Sequence, residues 1–414
     1  MQAIGVDFGT TNSVVAALDP EGATHTLRLP RHDAEVIRSV LCFWQEEGRI
    51  AHAAGPDAIA QYLEDPLFCR LILSLKSHLA SRSFTETRIL NRTHTAERLV
   101  AMFLQALLEG VAPGVPLIAG RPVHFVGETA DDALGQARLR AGFAAAGRPE
   151  ITLALEPEAA GYRFARTLDR AATVLVADFG GGTSDFSLLR FEPGPRGCSG
   201  VEALGHAGLG IAGDALDARI MDRVVSPALG KGGFYTVMGK PLPIPPHWYS
   251  GFSQWHRLSM MRAPRTLRDI AEVARTAEHP EQLRHLLALI ESEAGYCLYR
   301  AVSGVKAALS TAPEATLRFA EAGFSIEARI TRADFEAWIA PDLARMEAAM
   351  EQAVGNEPVD RVFLTGGTSL VPAVRAIFER RFGADRVSAG GEFVSVAEGL
   401  ALIGGDLARR RAAG

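Results

Sequence analysis

Residues 1–18 read MQAIGVDFGTTNSVVAAL and residues 175–189 read LVADFGGGTSDFSLL. Each is an apolar, strand-forming run that ends in Asp-Phe-Gly, passes through small residues and resumes a strand-like alternation. Asp7 and Asp178 stand 171 residues apart. A single turn of this kind is an ordinary hairpin bend, capped by its own aspartate. Two copies, each at the head of a strand-rich segment, point to a duplicated unit whose function needs both turns.

The turns suit phosphate. Gly9 is expected to supply positive φ and to let the backbone approach a bound group closely. In Gly9-Thr10-Thr11-Asn12 successive N–H groups can face one point, forming a concave anion site, and the two threonine hydroxyls add donors. In the second turn Gly180, Gly181 and Gly182 leave the backbone still more accessible, with Thr183 following. Two such hairpins facing each other would hold a polyphosphate from both sides. Asp7, Asp178 and Asp185 would repel those phosphates unless a hard cation such as Mg²⁺ stood between, keeping most of its water. A third motif, VDRVFLTGGTSLVP (359–372), reads as a buried strand, the pair Gly366-Gly367, then Thr368 before a helix. That arrangement is a platform for a nucleotide at a helix N-terminus. No GxxxxGK[ST] occurs, and no GxGxxG follows a strand with an acidic residue about 20 positions on, so neither a P-loop nor a dinucleotide fold is expected.

The rest of the chain fits a repeated α/β plan. Short β-rich runs AIGVDF, SVVAAL, THTLRL and SVLCFW fill the first 45 residues. An amphipathic helix over 94–110, a strand at PLIAG, a helix over about 129–146, a strand at ITLAL and a helix from Glu156 follow. The plan restarts with TVLVADF, DFSLLRF and VEALGHA, then a helix over 212–225. The proline- and aromatic-rich stretch 241–256 reads as an irregular connection whose aromatic residues pack on their own lobe. Helices over 265–310, two strands, a helix over 333–354, the strand RVFLTGG and helices from Val371 and Ser395 complete the chain.

At 414 residues, 48% hydrophobic and 22% charged, the chain is a globular protein of two or three domain-sized units. A net charge of −5 gives no bulk attraction to nucleic acid or an anionic membrane, and neither is expected as a partner. Arg409, Arg410 and Arg411 read as a solvated helix end. There is no signal-peptide pattern and no apolar run of spanning length. Cys42, Cys69, Cys198 and Cys297 lack metal-ligand spacing and read as free thiols of a cytoplasmic protein.

Taken in order, IGVDFGTTNS, LEPEAAGY (155–162), VADFGGGTSDFSLL and VFLTGGTSLVP resemble the ATPase domain of the Hsp70 chaperones. The resemblance covers essentially the whole chain. It implies a two-lobed actin-like α/β fold, a duplicated ribonuclease H-like mixed sheet with inserted subdomains. Lobe I would be 1–170, with its core at 1–35 and 111–170 and an insert at 36–110. Lobe II would be 171–394, with its core at 171–218 and 308–394 and a helical insert at 219–307. A C-terminal helix over 395–414 would return to lobe I. The implied ligands are ATP or ADP with Mg²⁺, and K⁺ as a further cation.

The resemblance also implies roles. Lys76 in LILSLKSHLA matches a lysine that positions the attacking water. Glu156 and Asp178 match acidic residues that orient the water shell of the metal and the nucleophilic water. Thr183 matches a threonine near the γ-phosphate, and Asp7 and Asp185 match carboxylates tied to cation binding. Thr10, Thr11 and Asn12 match the first phosphate loop and Gly180 to Thr183 the second. Gly366 and Gly367 match adenosine glycines, Lys306 and Ser310 match nucleoside contacts, and Gly210, Gly213 and Asp214 fall at the ribose loop. Pro122 matches a proline that relays nucleotide state. From the residues alone, Lys76 would read as a surface lysine.

The departures matter as well. Ser303 stands where the family has an adenine-contacting glutamate, and Leu370 and Ala307 replace basic residues, so ATP should bind more weakly than usual. Leu155 and Glu158 argue against standard coupling to J-domain cochaperones. The sequence reaches Gly414 without a peptide-binding extension, which resembles the YegD-like branch of the family most. The expectation is therefore a slow ATP-hydrolysing switch, a chaperone-related monomer acting on an unidentified protein partner. A sugar-type kinase and an actin-like filament protein are the alternatives.

Overall fold

The computed structural model describes residues 1–29, 32–125, 129–194, 197–253, 261–390 and 393–413. Residues 254–256 of the expected 241–256 connection lie outside these, as do the side chains of Cys198, Arg410 and Arg411. Cys42, Cys69 and Cys297 are free thiols. The chain divides into two compact units, residues 1–213 with 344–414, and residues 214–343.

Two sheets lie in the first unit. In one, β1 (Ala3–Phe8), β2 (Asn12–Leu18) and β3 (Thr24–Thr26) form an antiparallel meander. Next to β1 lies β4 (Leu117–Arg121), and next to β4 lies β5 (Ile151–Leu155), both parallel to their neighbours. In the other, β6 (Ala172–Phe179), β7 (Ser184–Gly194) and β8 (Gly197–Leu209) form the meander. There β9 (Arg361–Thr365) runs parallel to β6 and β10 (Val387–Ala389) parallel to β9. The orders β5-β4-β1-β2-β3 and β10-β9-β6-β7-β8 are the same plan with the same strand senses, the first sheet adding a two-residue strand, Ile37–Arg38, beside β2. What the repeated turn announces is thus a repeated mixed sheet. Its central strands are apolar on both faces because helices cover both.

The helix after each sheet packs on the other sheet. Following β5, α1 (Glu156–Ala165) lies on β6 and β7, and following β10, α2 (Ser395–Ala413) lies on β1, β2 and β4. The two helices also pack on each other. Their approach depends on a missing side chain, since a Cβ on Gly399 would stand 1.7 Å from the Ala159 carbonyl oxygen; the seating of α2 on β1 depends on another, since a Cβ on Gly5 would stand 2.0 Å from the Ala397 carbonyl oxygen. Ala159, Ala160, Ala397 and Ala401 are wholly buried around these contacts.

Between β3 and β4 the chain inserts a three-stranded sheet centred on Leu41–Glu46, a helix Gly55–Glu64, and a hairpin of Glu86–Ile89 with Arg92–Thr95. The helix expected over 94–110 spans Ala96–Leu107. Thr95 caps it, its hydroxyl accepting the Arg98 N–H, and residues 94–95 belong to the hairpin that helical periodicity concealed. The run THTLRL is likewise strand only over Thr24–Thr26, and the helix expected over 212–225 is α-helical over Gly213–Ile220 and a π-turn over Met221–Val225.

In the second unit the expected irregular connection at 241–256 is partly regular. Lys240–Pro243 pairs with Phe234–Val237, and Pro246–Ser253 is a 3₁₀ helix. Prolines sit in this strand because, among the described residues, its other edge is unpaired and needs no donor there. Trp248, Tyr249 and Phe252 are buried, and the Tyr249 hydroxyl donates to the Leu229 carbonyl at 2.9 Å. They pack within their own unit, as the composition suggested.

Gly399→Val places branched carbons where the Ala159 backbone already stands. The expected outcome is loss of at least ~3 kcal/mol, at the upper end for overpacking. A urea midpoint unchanged from wild type would rule out this account of the helix crossing.

Candidate functional site

The first turn ends β1 and starts β2, so Asp7 sits one residue from the end of its strand. Gly9 is needed for space and not for φ, which is not positive: a Cβ there would stand 2.1 Å from the Asn12 carbonyl oxygen. The loop is held from one side by Ser39 N–H to the Thr11 carbonyl at 3.0 Å, and Ser13 and Ser39 share a buried hydroxyl bond of 2.8 Å. Thr10 is buried, while Thr11 and Asn12 are half-buried, with Asn12 Oδ1 accepting from Arg38 at 3.4 Å.

The second turn joins β6 to β7, and register sets Asp178 directly opposite Asp185. Gly180 N–H donates to the Thr183 carbonyl at 2.9 Å and closes the bend. The Gly180 carbonyl accepts from Gly213 N–H at 3.4 Å, and Ser184 Oγ donates to the Ile211 carbonyl at 2.5 Å. The loop Gly210–Gly213 is therefore tied to this turn. Gly181, Gly182 and Thr183 keep partial exposure, and Gly180 is exposed.

Lys76 arrives from a 3₁₀ turn, Leu75–His78, launched by Ser74 in the left-handed region at φ 53°. It is 6% exposed and forms an ion pair with Glu156, the first residue of α1, which is 5% exposed. The surface reading of Lys76 is thereby excluded. Burial opposes its charge, but Glu156, Asp7 and Asp185 outweigh that and hold the ammonium above its usual range.

The carboxylates behave in the opposite sense. Burial first, then repulsion from Glu156, pushes Asp7 up to about 7 against the pull of Lys76. Asp185 is also pushed up to about 7 by burial and Glu156, opposed by the Thr183 hydroxyl and the Val123 N–H. Asp178 is raised well above the usual carboxylate range by burial, Glu156, Asp7 and Asp185. As whole residues, Asp7 and Asp178 keep partial solvent exposure. Five sequence-predicted residues, Asp7, Lys76, Glu156, Asp178 and Asp185, thus come together: four carboxylates about one ammonium.

The cluster leaves one carboxylate oxygen unused. Asp185 Oδ1 accepts the Val123 N–H at 2.9 Å, while Oδ2 is buried without a hydrogen bond of ordinary length. Among the described residues no three acidic, His or Cys side chains converge tightly enough to bind one ion directly. Carboxylate oxygens are the donors that a hard cation such as Mg²⁺ takes, and such a cation keeps most of its water and touches few of them itself.

Sequence reasoning missed the parts that have no side chain. The Val123 N–H follows Pro122 and ties the end of β4 to Asp185. Gly208 makes room for Asp185, since a Cβ there would stand 2.8 Å from Oδ1, and Gly120 makes room for Glu156 at 2.9 Å from Cγ. The available signal was a glycine inside each strand-like run, IAGR and HAGL.

The third motif leaves β9 beside β6, in register Asp178 with Thr365. Gly366 has φ +83°, and a Cβ there would stand 2.0 Å from the Phe179 carbonyl oxygen. Residues Gly367–Leu370, including buried Thr368, form a 3₁₀ turn, and the helix begins only at Pro372. The glycine pair is therefore not at the helix N-terminus, because the chain needs that extra turn to redirect itself past Phe179.

Asp214, Lys306 and Ser310 belong to the second unit. There Lys306 pairs with Asp217 at 2.9 Å, and the Tyr299 hydroxyl meets Asp214 at 3.1 Å. Ser310 Oγ donates to the Lys306 carbonyl at 3.4 Å.

The model of one family, described as Hsp70 protein, matches residues 290–411. The match is under a third of the 414-residue chain; it takes in Lys306, Ser310, the Gly366–Thr368 turn and most of α2, and leaves both Asp-Phe-Gly turns, Lys76 and Glu156 outside.

Raised carboxylates give stability a definite slope. Between about pH 4 and 7 the folded chain holds protons on Asp7 and Asp185 that the unfolded chain releases. Stability contributed by those protons is present at the acidic end and is lost as pH rises through about 7. Melting in chelator from pH 5.5 to 8.5 should show a falling midpoint. Asp185→Asn, which keeps an acceptor for Val123, should flatten the fall and melt roughly 2–4 °C above wild type at pH 8. A variant that melts no higher would show that the carboxylate carries no such strain.

Proposed function

We propose that the chain is an Hsp70-like nucleotide-binding protein that hydrolyses ATP slowly, its two Asp-Phe-Gly turns holding the phosphates. The observation that carries this is the Lys76–Glu156 pair, buried among Asp7, Asp178 and Asp185 beside both turns. The family match over residues 290–411 supports it independently, from a part of the chain that contains none of those five residues.

In this reading the Lys76 ammonium, kept charged by its neighbours, donates to a phosphate oxygen or to the attacking water. Glu156 is fixed by Lys76 and presents its remaining oxygen as an acceptor for that water. Asp178 and Asp7 supply further acceptors, and the Thr183 hydroxyl donates near the terminal phosphate. Positioning of this kind is most of what phosphoryl transfer requires. Mg²⁺, held mainly through water by Asp7, Asp178, Asp185 and Glu156, would neutralise charge on the phosphates. Backbone N–H groups of Gly9 to Asn12 and Gly180 to Gly182 would cradle the phosphates. Gly366, Gly367 and Thr368 would border the nucleoside, with Gly210, Gly213, Asp214, Lys306 and Ser310 assigned to it by resemblance. Hydrolysis would drive a conformational switch between lobes divided near residue 170, read by an unidentified protein partner.

Single-turnover hydrolysis of ATP by wild type, Lys76→Ala and Thr183→Ala tests the assignment. Each variant is expected to lose roughly 10²–10³ in rate. Thr183→Ala matters most, because Lys76→Ala also leaves Glu156 buried without its partner and costs stability. Rates equal to wild type in both would refute the roles. Strong stimulation by a sugar hydroxyl would replace the switch with a kinase, and ATP-dependent pelleting would replace it with a filament.

A further inference from the structure

One aromatic side chain beside the third motif has no part in the packing described so far. Phe393 is 45% exposed, yet its ring lies against Gly367: Cε1 and Cζ are 3.3 and 3.4 Å from where a Cβ of that glycine would stand. Leu370, at the other end of the same short turn, is 48% exposed. Two large apolar groups are thus left open at the ends of the glycine-bearing turn. That turn adjoins the second Asp-Phe-Gly turn, since β6 and β9 are neighbouring parallel strands and Gly366 abuts the Phe179 backbone.

We infer that Phe393, with Leu370, forms an apolar platform on which the base of a bound nucleotide stacks. This rests on the nucleotide reading above and adds to it a residue that determines specificity. An aromatic ring accepts any base through its π face and selects for stacking area more than for edge pattern. The turn offers the base no side-chain hydrogen bond to read that edge. Gly366 and Gly367 have no side chain, Thr368 is 4% exposed, and Ser369 Oγ is spent on the Gly366 carbonyl at 2.7 Å. The platform therefore favours purines over pyrimidines and separates ATP from GTP by less than about tenfold.

Calorimetric titration of wild type, Phe393→Ser and Phe393→Trp with ATP, GTP, CTP and inorganic tripolyphosphate, all with Mg²⁺, tests this. Phe393→Ser should weaken ATP and GTP about tenfold, the cost of one lost stack. Tripolyphosphate, which has no base, should bind it as it binds wild type. Phe393→Trp should keep ATP affinity, with its indole fluorescence quenched on binding. ATP binding unchanged in Phe393→Ser, with tripolyphosphate still bound, would overturn the platform and leave the nucleotide reading standing. Equal losses of ATP and tripolyphosphate would overturn it too, by making Phe393 a structural support. Failure of wild type to bind either ligand would overturn the nucleotide reading and the platform together.

Discussion

Four carboxylates gathered about one buried ammonium constrain everything near them. A lone lysine would not stay charged under this burial, and Glu156 would not stay there without Lys76, so each depends on the other. The pair still leaves Asp7, Asp178 and Asp185 in excess, a charge that burial and mutual repulsion push toward neutralisation by protons. A bound cation would meet it instead. Such a site lowers the stability of the fold that carries it, as sites arranged for function do.

The duplicated sheet makes the cluster possible. Asp7 and Asp178 occupy equivalent ends of equivalent strands, so one structural unit used twice delivers two acidic turns. The helices exchanged between the sheets, α1 and α2, join the copies, and α1 carries Glu156 at its first residue. Glycines at the crossings set how closely the copies approach. Lys76 has no counterpart in this symmetry; it enters from the insert between β3 and β4, on a turn that begins with a left-handed serine.

How legible this was depended on the kind of signal. Alternation and apolar runs revealed nearly every strand of the two sheets, because a strand buried on both faces has no other composition open to it. The hairpin at 86–95 was hidden by a helix that starts directly after its last residue. The strand Lys240–Pro243 was hidden by its prolines, which argue against a strand except at an edge. At the site, Asp7, Asp178 and Asp185 were visible in their motifs. Lys76 was named only through the family resemblance, because a lysine in an apolar run looks the same whether it snorkels to water or is buried against a carboxylate 80 positions away.

By itself, then, the sequence determined the repeat and the two glycine-rich acidic turns, because local composition dictates strands, bends and backbone exposure. Tertiary structure alone decided that Lys76 meets Glu156, that Val123 ties Asp185 to the end of β4, and that Phe393 stands open beside Gly367. Those outcomes rest on distances between segments far apart in the chain. Such distances are set by the packing of those segments, of which the crossing of α1 and α2 over the paired sheets, with backbones brought together at glycine, is one part.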